Sequence, residues 1–392
     1  MQISENKNNP NLSDKIAALG FALIGVVSLL IIRGALFYND WGDYIYFLKP
    51  WITAYRHMTF LEGLGTVVGN YNPPYMYILN IIARTDIPEL FLIKCVSVVF
   101  DFLLAFFVMK IVSLKTESIN MRILAFLLTF AIPTVVLNSS MWGQCDSIYS
   151  AFAIGSFYFG MRNKSKSAYA FMALAVSFKV QAVFLMPVLA IFVIMKKVRF
   201  RDCHVFFAVY LATLLPAILA GMPIDVALLT YVRQANYFSS LNMNIVNVWR
   251  FVDHVEYENF RAAGLYIAGL AVLGLMYFTY VNRDRLVKNA DYVRLAYLSA
   301  IIMPFLLPKM HDRYYFLADV LSLVVFLFDK RRWYVPVVTI FCSYLGYAYF
   351  LMSGTTLLDY RLAAIALLFI ILVVLRDYVI SLREDNTAVS NP

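Results

Sequence analysis

"ALAVSFKVQAVFLMPVLAIFVIM" (173–195) is the stretch on which the fold turns. If it is one helix, Lys179 sits in the middle of a membrane span. If it breaks near Phe178–Gln181, two short spans meet at a polar point and every later segment changes side. The surrounding composition makes the question a membrane one. Of 392 residues, 62% are hydrophobic and 15% charged, with mean hydropathy +0.72, whereas soluble domains run to roughly 45–50% apolar and about 25% charged. The fold class is therefore an all-α integral membrane protein of about 10–12 transmembrane helices, in one multi-pass domain over 1–392.

Apolar runs place spans at about 16–37, 89–111, 122–138, 146–161, 168–178, 181–195, 204–221, 262–281, 295–308, 314–328, 334–352 and 360–377. The first run, Ile16 to Phe37, is too long for a signal-peptide core and is read as a retained span. With the break at Lys179 and the N-terminus inside, the basic clusters at 110–122, 162–166, 196–201, 283–294, 330–332 and 376–383 all fall on the cytoplasmic side, as the positive-inside rule requires. A single span at 168–195 puts half of these loops in conflict. The net charge of +9 thus belongs to orientation signals and not to nucleic-acid binding. Both ends, 1–15 and 378–392, are cytoplasmic tails in this topology. The segments 38–88 and 222–261 are long external connections. In the first, "FLKPWITAYRHMTFLEGL" (47–64) and "PPYMYILNII" (73–82) are amphipathic, too short to span, and read as interfacial helices. Cys95, Cys145, Cys203 and Cys342 show neither metal-site nor disulfide spacing.

Polar residues gather on the external side: Asp40 and Asp43 after the first span, Asn70, Tyr71 and Tyr75 in the first connection, Trp142, Gln144 and Asp146 in "NSSMWGQCDSIYS" (138–150), Lys179 and Gln181 at the break, Gln234 and Asn247 in the second connection, and His311, Asp312 and Arg313 before the tenth span. Such groups are costly at membrane depth and by default suggest function. Each also has a plain structural reading. Asp146, Ser147 and Asp312 suit helix N-caps; Lys179 suits a salt bridge to Asp101 or Asp319; Trp41, Trp51 and Trp142 suit an interfacial aromatic belt. Their convergence on one face favours a wet external cavity. A carboxylate serves as a general base, and Arg and Lys suit a phosphate. Together they suggest attack of a hydroxyl on a carbon bearing a phosphate leaving group, with a lipid-linked donor arriving through the membrane.

The motifs "DYIYFLKPW" (43–51), "NYNPPY" (70–75), "WGQCDS" (142–147), "FKVQ" (178–181) and "PKMHDRY" (308–314) resemble those of the GT-C superfamily of multi-pass glycosyltransferases, within it bacterial mannosyltransferase-like proteins. The resemblance implies an inverting hexosyltransferase of the plasma membrane. It would take a sugar, mannose foremost, from a polyprenyl-phosphate donor to a glycan or glycolipid acceptor at the outer face. Asp43 would be the catalytic base with Asp40 its rival. His311, Arg313 and Lys179 would hold the donor phosphate. Asn70, Tyr71, Tyr75, Trp142, Gln144, Asp146, Gln181, Gln234 and Asn247 would contact sugar or acceptor. No cofactor is required; Mg²⁺ held through water by Asp40 and Asp43 is the one candidate. A lipid-linked-sugar flippase and a polysaccharide polymerase or ligase are the alternatives.

Overall fold

The computed structural model describes residues 12–235, 240–252, 256–352, 354 and 356–383. Most of the two tails expected to be cytoplasmic, residues 1–11 and 384–392, lies outside the described residues, as do residues 236–239 and 253–255 of the second long connection. The principal helices are α1 (Leu12–Ala35), α2 (Glu89–Val112), α3 (Ile119–Phe130), α4 (Asp146–Met161), α5 (Ser165–Phe178), α6 (Met186–Ile194), α7 (His204–Leu219), α8 (Tyr257–Val281), α9 (Asn289–Leu306), α10 (Phe316–Phe328), α11 (Tyr334–Leu351) and α12 (Tyr360–Arg383). Among the described residues six helices are long and apolar enough to cross a membrane, and the chain is a helical, membrane-embedded protein. A bent pair of helices reaches the same length and apolarity when its two parts are taken together. After α3, Pro133 ends the helix, because the residue before a proline is driven out of the α region, and the chain resumes at 52° to α3 over 133–142.

The break at Lys179 is present. Lys179 is extended (φ −150°, ψ 137°), a 3₁₀ segment Val180–Leu185 follows, and α6 restarts with Pro187 in its first turn, where a missing N–H costs nothing. The helices that meet here are short. At 1.5 Å per residue, the 14 residues of α5 rise about 21 Å, against about 30 Å of bilayer hydrocarbon.

The other ends of these helices are tied together. Lys115 Nζ donates to the carbonyls of Leu327 and Phe328 at 3.0 and 2.6 Å, Asn289 to Leu114 at 3.2 Å, and the Arg199 amide to Ser165 Oγ at 2.9 Å. The basic loops therefore share one end of the bundle. The two segments of the first connection read as interfacial are helical: the first as Lys49–Arg56 and Phe60–Gly65, the latter opened by a capping box at Thr59 and Glu62, and the second as Pro73–Ile82, which starts on the proline pair.

Two expectations from the sequence need correction. Neither Asp101 nor Asp319 pairs with Lys179. Asp101 binds Arg33 at 2.7 Å, where Arg33 also donates to Ser139 Oγ (2.7 Å), Ser140 Oγ (3.0 Å) and the Phe130 carbonyl (2.7 Å). Asp319 accepts from Thr134 Oγ1 at 2.7 Å. The chain is also not purely helical. A short parallel pair, β1 (Asn242–Met243) with β2 (Met310–His311), joins the second connection to the segment before α10, with Asn242 opposite Met310 and Met243 opposite His311.

Candidate functional site

Four chain segments end on one cavity of about 850 Å³. The first is anchored by Lys94, whose ammonium caps the exposed carbonyls after α1, reaching Leu36 (3.2 Å), Phe37 (2.9 Å) and Asn39 (2.6 Å), as a cation at a helix C-terminus should. Asp43 follows at the start of a π-helical turn, Tyr44–Leu48. The second is the turn at 137–145. Its reversal rests on Gly143 at φ 77°, a conformation that costs a residue with a Cβ about 1–2 kcal/mol. Ser97 Oγ holds the Gln144 carbonyl at 2.7 Å, and Ser147 Oγ returns to the Ser97 carbonyl at 2.9 Å.

The third is the break itself. The carbonyls that α5 leaves open at its end are taken by the two long connections: Asn72 Nδ2 donates to Ser177 O at 2.8 Å and the Tyr231 hydroxyl donates to Val176 O. Gln234 Nε2 closes the ring on Asn70 O at 2.5 Å. The fourth is the segment before α10, clamped by the β pair and by the Asp312 amide donating to Met243 O at 3.0 Å. α11 passes so close beneath it that a Cβ on Gly346 would stand 2.8 Å from Asp312 O and 3.0 Å from Asn244 O; glycine is needed there for approach.

The charges divide into two layers. Asp146 is buried and committed. Its Oδ1 meets Lys179 Nζ at 2.5 Å, and its Oδ2 lies 2.9 Å from Asn138 Nδ2 and 3.4 Å from Arg313 Nε. Asn138 donates in turn to the Tyr347 hydroxyl at 3.0 Å. Asp43 is the open carboxylate. It accepts from Gln144 Nε2 at 2.5 Å and faces Arg313 Nη1 at 3.7 Å, and it lines the cavity. Arg313 bridges the layers and lies over the Trp142 ring at 5.3 Å, with Trp142 stacked at 4.2 Å on Phe350.

Burial, reinforced by Arg313 and Lys179, lowers the His311 imidazole to about 3, so it is neutral across physiological pH. Burial raises Asp312 to about 7, with Arg313 opposing and Asp43 and Asp146 reinforcing the rise.

Asp43, Asn70, Tyr71, Tyr75, Gln144, Lys179, Gln181, Gln234, His311 and Arg313 all line the cavity. Four expected site residues do not. Asp40 is exposed outside it. Asp146 lies beneath it, spent on Lys179 and Arg313. Trp142 is buried under Arg313 and has no face open for a sugar. Asn247 is a structural cap: its Oδ1 accepts from the Trp249 amide (3.1 Å) and Asn242 Nδ2 (2.7 Å), and its Nδ2 donates to Pro304 O (3.2 Å). Trp51, read from the sequence as interfacial belt, instead lines the cavity, edge-on to Tyr71 with ring centres 5.9 Å apart. Asn138 and Tyr347 were not anticipated; the signal for Asn138 was an amide eight residues before an acid in an otherwise apolar run.

Asp40 lies outside the cavity while Asp43 faces a guanidinium within it, and no group of three His, Cys, Asp or Glu is placed to hold a metal among the described residues. Val183, Phe184, Leu265 and Leu307 give the cavity apolar lining as well, and Leu265, on α8, is 51% exposed. No model of a known protein family matches the chain, and no curated protein matches it.

Proposed function

We propose that the protein is a membrane glycosyltransferase that moves a hexose from a polyprenyl-phosphate donor to a hydroxyl of a cell-envelope glycan or glycolipid, at the external face of the plasma membrane. The observation that carries this reading is the division of the two carboxylates. Asp43 is open to the cavity beside Arg313, while Asp146 is withdrawn and neutralised. A base and a phosphate clamp thus share one space, and apolar side chains such as Val183, Phe184 and Leu265 line it beside them, as a lipid-linked donor requires.

In this reading Arg313 binds the donor phosphate. It is well suited because a guanidinium presents paired donors to phosphate oxygens, and its second edge is steadied by Asp146. His311, being neutral, serves as a hydrogen-bonding group and not as a cation. Lys179 acts through Asp146 and is kept from direct charge pairing with the phosphate. Asp43 accepts the proton of the acceptor hydroxyl as its oxygen attacks the anomeric carbon. The bond from that carbon to the phosphate oxygen breaks, and polyprenyl phosphate leaves with the electron pair while Arg313 stabilises the charge. A retaining route needs a second carboxylate free to act as nucleophile. Asp146, with its oxygens already engaged, does not supply one, so the reading is a single inverting displacement. Trp51, Tyr71 and Tyr75 offer aromatic faces for the sugar.

The basic loops at the opposite end of the bundle support an external site by the positive-inside rule. The test is transfer from a panel of radiolabelled polyprenyl-phosphate sugars to membrane lipid extract by purified protein. The expected result is transfer from one donor, lost in Asp43→Asn by about 10²–10⁴-fold, with donor binding retained. Binding of lipid-linked sugar with no transfer from any donor would overturn the enzyme reading in favour of a flippase.

A further inference from the structure

At the end of the bundle away from the cavity, the α8–α9 and α10–α11 connections and the last turns of α12 enclose a second cleft, of about 390 Å³. Five cations line it: Lys288, Arg294, Arg331, Arg332 and Arg376. Three of them are spent on carboxylates. Arg332 makes a two-pronged contact with Asp377 at 2.5 and 2.6 Å, Arg331 binds Asp329 at 3.1 Å, and Arg294 binds Asp291 at 2.7 Å. Lys288 and Arg376 make no ion pair or side-chain hydrogen bond among the described residues, and both are exposed.

The setting of Arg376 says what it meets. On α12 the exposed residues Ile365, Phe369, Leu372, Arg376 and Ile380 follow spacings of four, three, four and four, which put them on one helix face. Between exposed Arg361 and Arg383 at the two ends of the helix, that face is apolar and unpacked except for Arg376, about 24 Å along the helix from Tyr360 at 1.5 Å per residue. A cation on a lipid-facing stripe is expensive unless its head snorkels to the membrane surface, where water and anionic headgroups can meet it. At the start of α11, the helix packed against α12, the N-cap residue Trp333 with Val337 and Phe341 makes a second exposed stripe that begins next to Arg332 of the cleft with a tryptophan of the kind that favours the interface.

We infer that this cleft binds the phosphate of an anionic phospholipid, with Lys288 and Arg376 as its charge partners and the α12 stripe under its acyl chains. Free inorganic phosphate shares the headgroup chemistry but leaves the apolar stripe unused. The inference is independent of the proposed transferase activity, since the cleft and the cavity lie at opposite ends of the bundle.

Native mass spectrometry of the full-length protein, purified in detergent and offered equal phosphatidylglycerol and phosphatidylcholine, tests it. The wild type is expected to retain phosphatidylglycerol about thirtyfold over phosphatidylcholine, since each of the two basic side chains near the surface adds of the order of 1 kcal/mol. The double variant K288Q/R376Q should lose the preference and K288R/R376K should keep it, which separates charge from folding. Millimolar inorganic phosphate should leave the lipid in place. An undiminished preference in K288Q/R376Q, or none in the wild type, would overturn the assignment, and displacement of the lipid by phosphate would make the occupant a free anion.

Discussion

The division of labour between the carboxylates makes its sharpest prediction at Lys179. The Lys179–Asp146 pair is 2.5 Å long with side chains 8% and 1% exposed. At an effective dielectric of about 20, two unit charges at that distance attract by about 7 kcal/mol, but much of this offsets the cost of taking both from water. Breaking a buried pair from one side costs about 3–5 kcal/mol, because the survivor is left uncompensated. Here the survivor, Asp146, keeps Asn138 at 2.9 Å and Arg313 at 3.4 Å. Lys179→Met should therefore fall at the low end, about 3 kcal/mol. Asp146→Asn leaves Lys179 buried beside Arg313 with no carboxylate between them and should cost as much or more. The double variant removes both charges and should cost less than the sum of the two by about 2 kcal/mol. The assay is a double-mutant cycle on unfolding of the detergent-solubilised protein, with donor affinity measured on the same four proteins. Costs that add to within about 0.5 kcal/mol would show the pair to be uncoupled. If Lys179→Met kept full stability and lost donor binding, the lysine would be a phosphate ligand after all.

Asp312, held at about 7, is neutral below that pH and ionised above it. As pH rises through 7 a third carboxylate then appears against Arg313, beside Asp43 and Asp146, with neutral His311 unable to offset it. The donor KM should rise about tenfold between pH 6 and pH 8, and Asp312→Asn should flatten that rise; an unchanged profile in the variant assigns the titration elsewhere. Gly346→Ala drives a Cβ into the segment carrying Arg313 and should destabilise by about 1–3 kcal/mol with a raised donor KM, read by thermal unfolding and initial rates. Asn247→Ala removes a cap with two acceptor contacts and should cost about 1–2 kcal/mol in stability with donor KM unchanged in the folded fraction. A KM effect without a stability effect there would return Asn247 to the binding site.

How far the sequence carried depended on the range of the interaction. The break at 179 was legible because it is local: a lysine inside an apolar run, a proline eight residues on, and a loop-charge pattern that only two short spans satisfy. The interfacial helices were legible from their amphipathic period and the Asn72-Pro-Pro start. Membership of the cavity was largely legible because polar residues at membrane depth have few other places to go. Roles within it were not. Asp43 and Asp146 are alike as residues, and what separates them is that Lys179 and Asn138 reach one and not the other. Asn247 looked like a ligand because an amide's partners, here Trp249, Asn242 and Pro304, leave no periodic trace. Arg33 stands alone in the first apolar run of the sequence, since its partner Asp101 lies 68 residues on.

The short helices and the buried charges have one cause. α4, α5 and α10, with 16, 14 and 13 residues, rise about 24, 21 and 20 Å, too little for the whole hydrocarbon layer. They share a floor of basic loops, and their opposite ends meet Asp146, Lys179 and Arg313. The charge layer is therefore sunk below the level that longer helices reach. On α8 the cavity lining runs from Tyr257 through Arg261 to Leu265, eight residues or about 12 Å along the helix. A recess of that depth would flood or collapse if left open. It is roofed by the two long connections, through Asn72 on Ser177, Tyr231 on Val176 and Gln234 on Asn70, each of which uses a backbone carbonyl that a continuous helix or strand would have used itself. The same break that exposes the Val176 and Ser177 carbonyls also turns Lys179 toward Asp146. Healing the helix at 178–181 would thus unseat the roof and uncouple the charge layer together, which is why a lysine in the middle of an apolar run is the residue from which both the fold and the site follow.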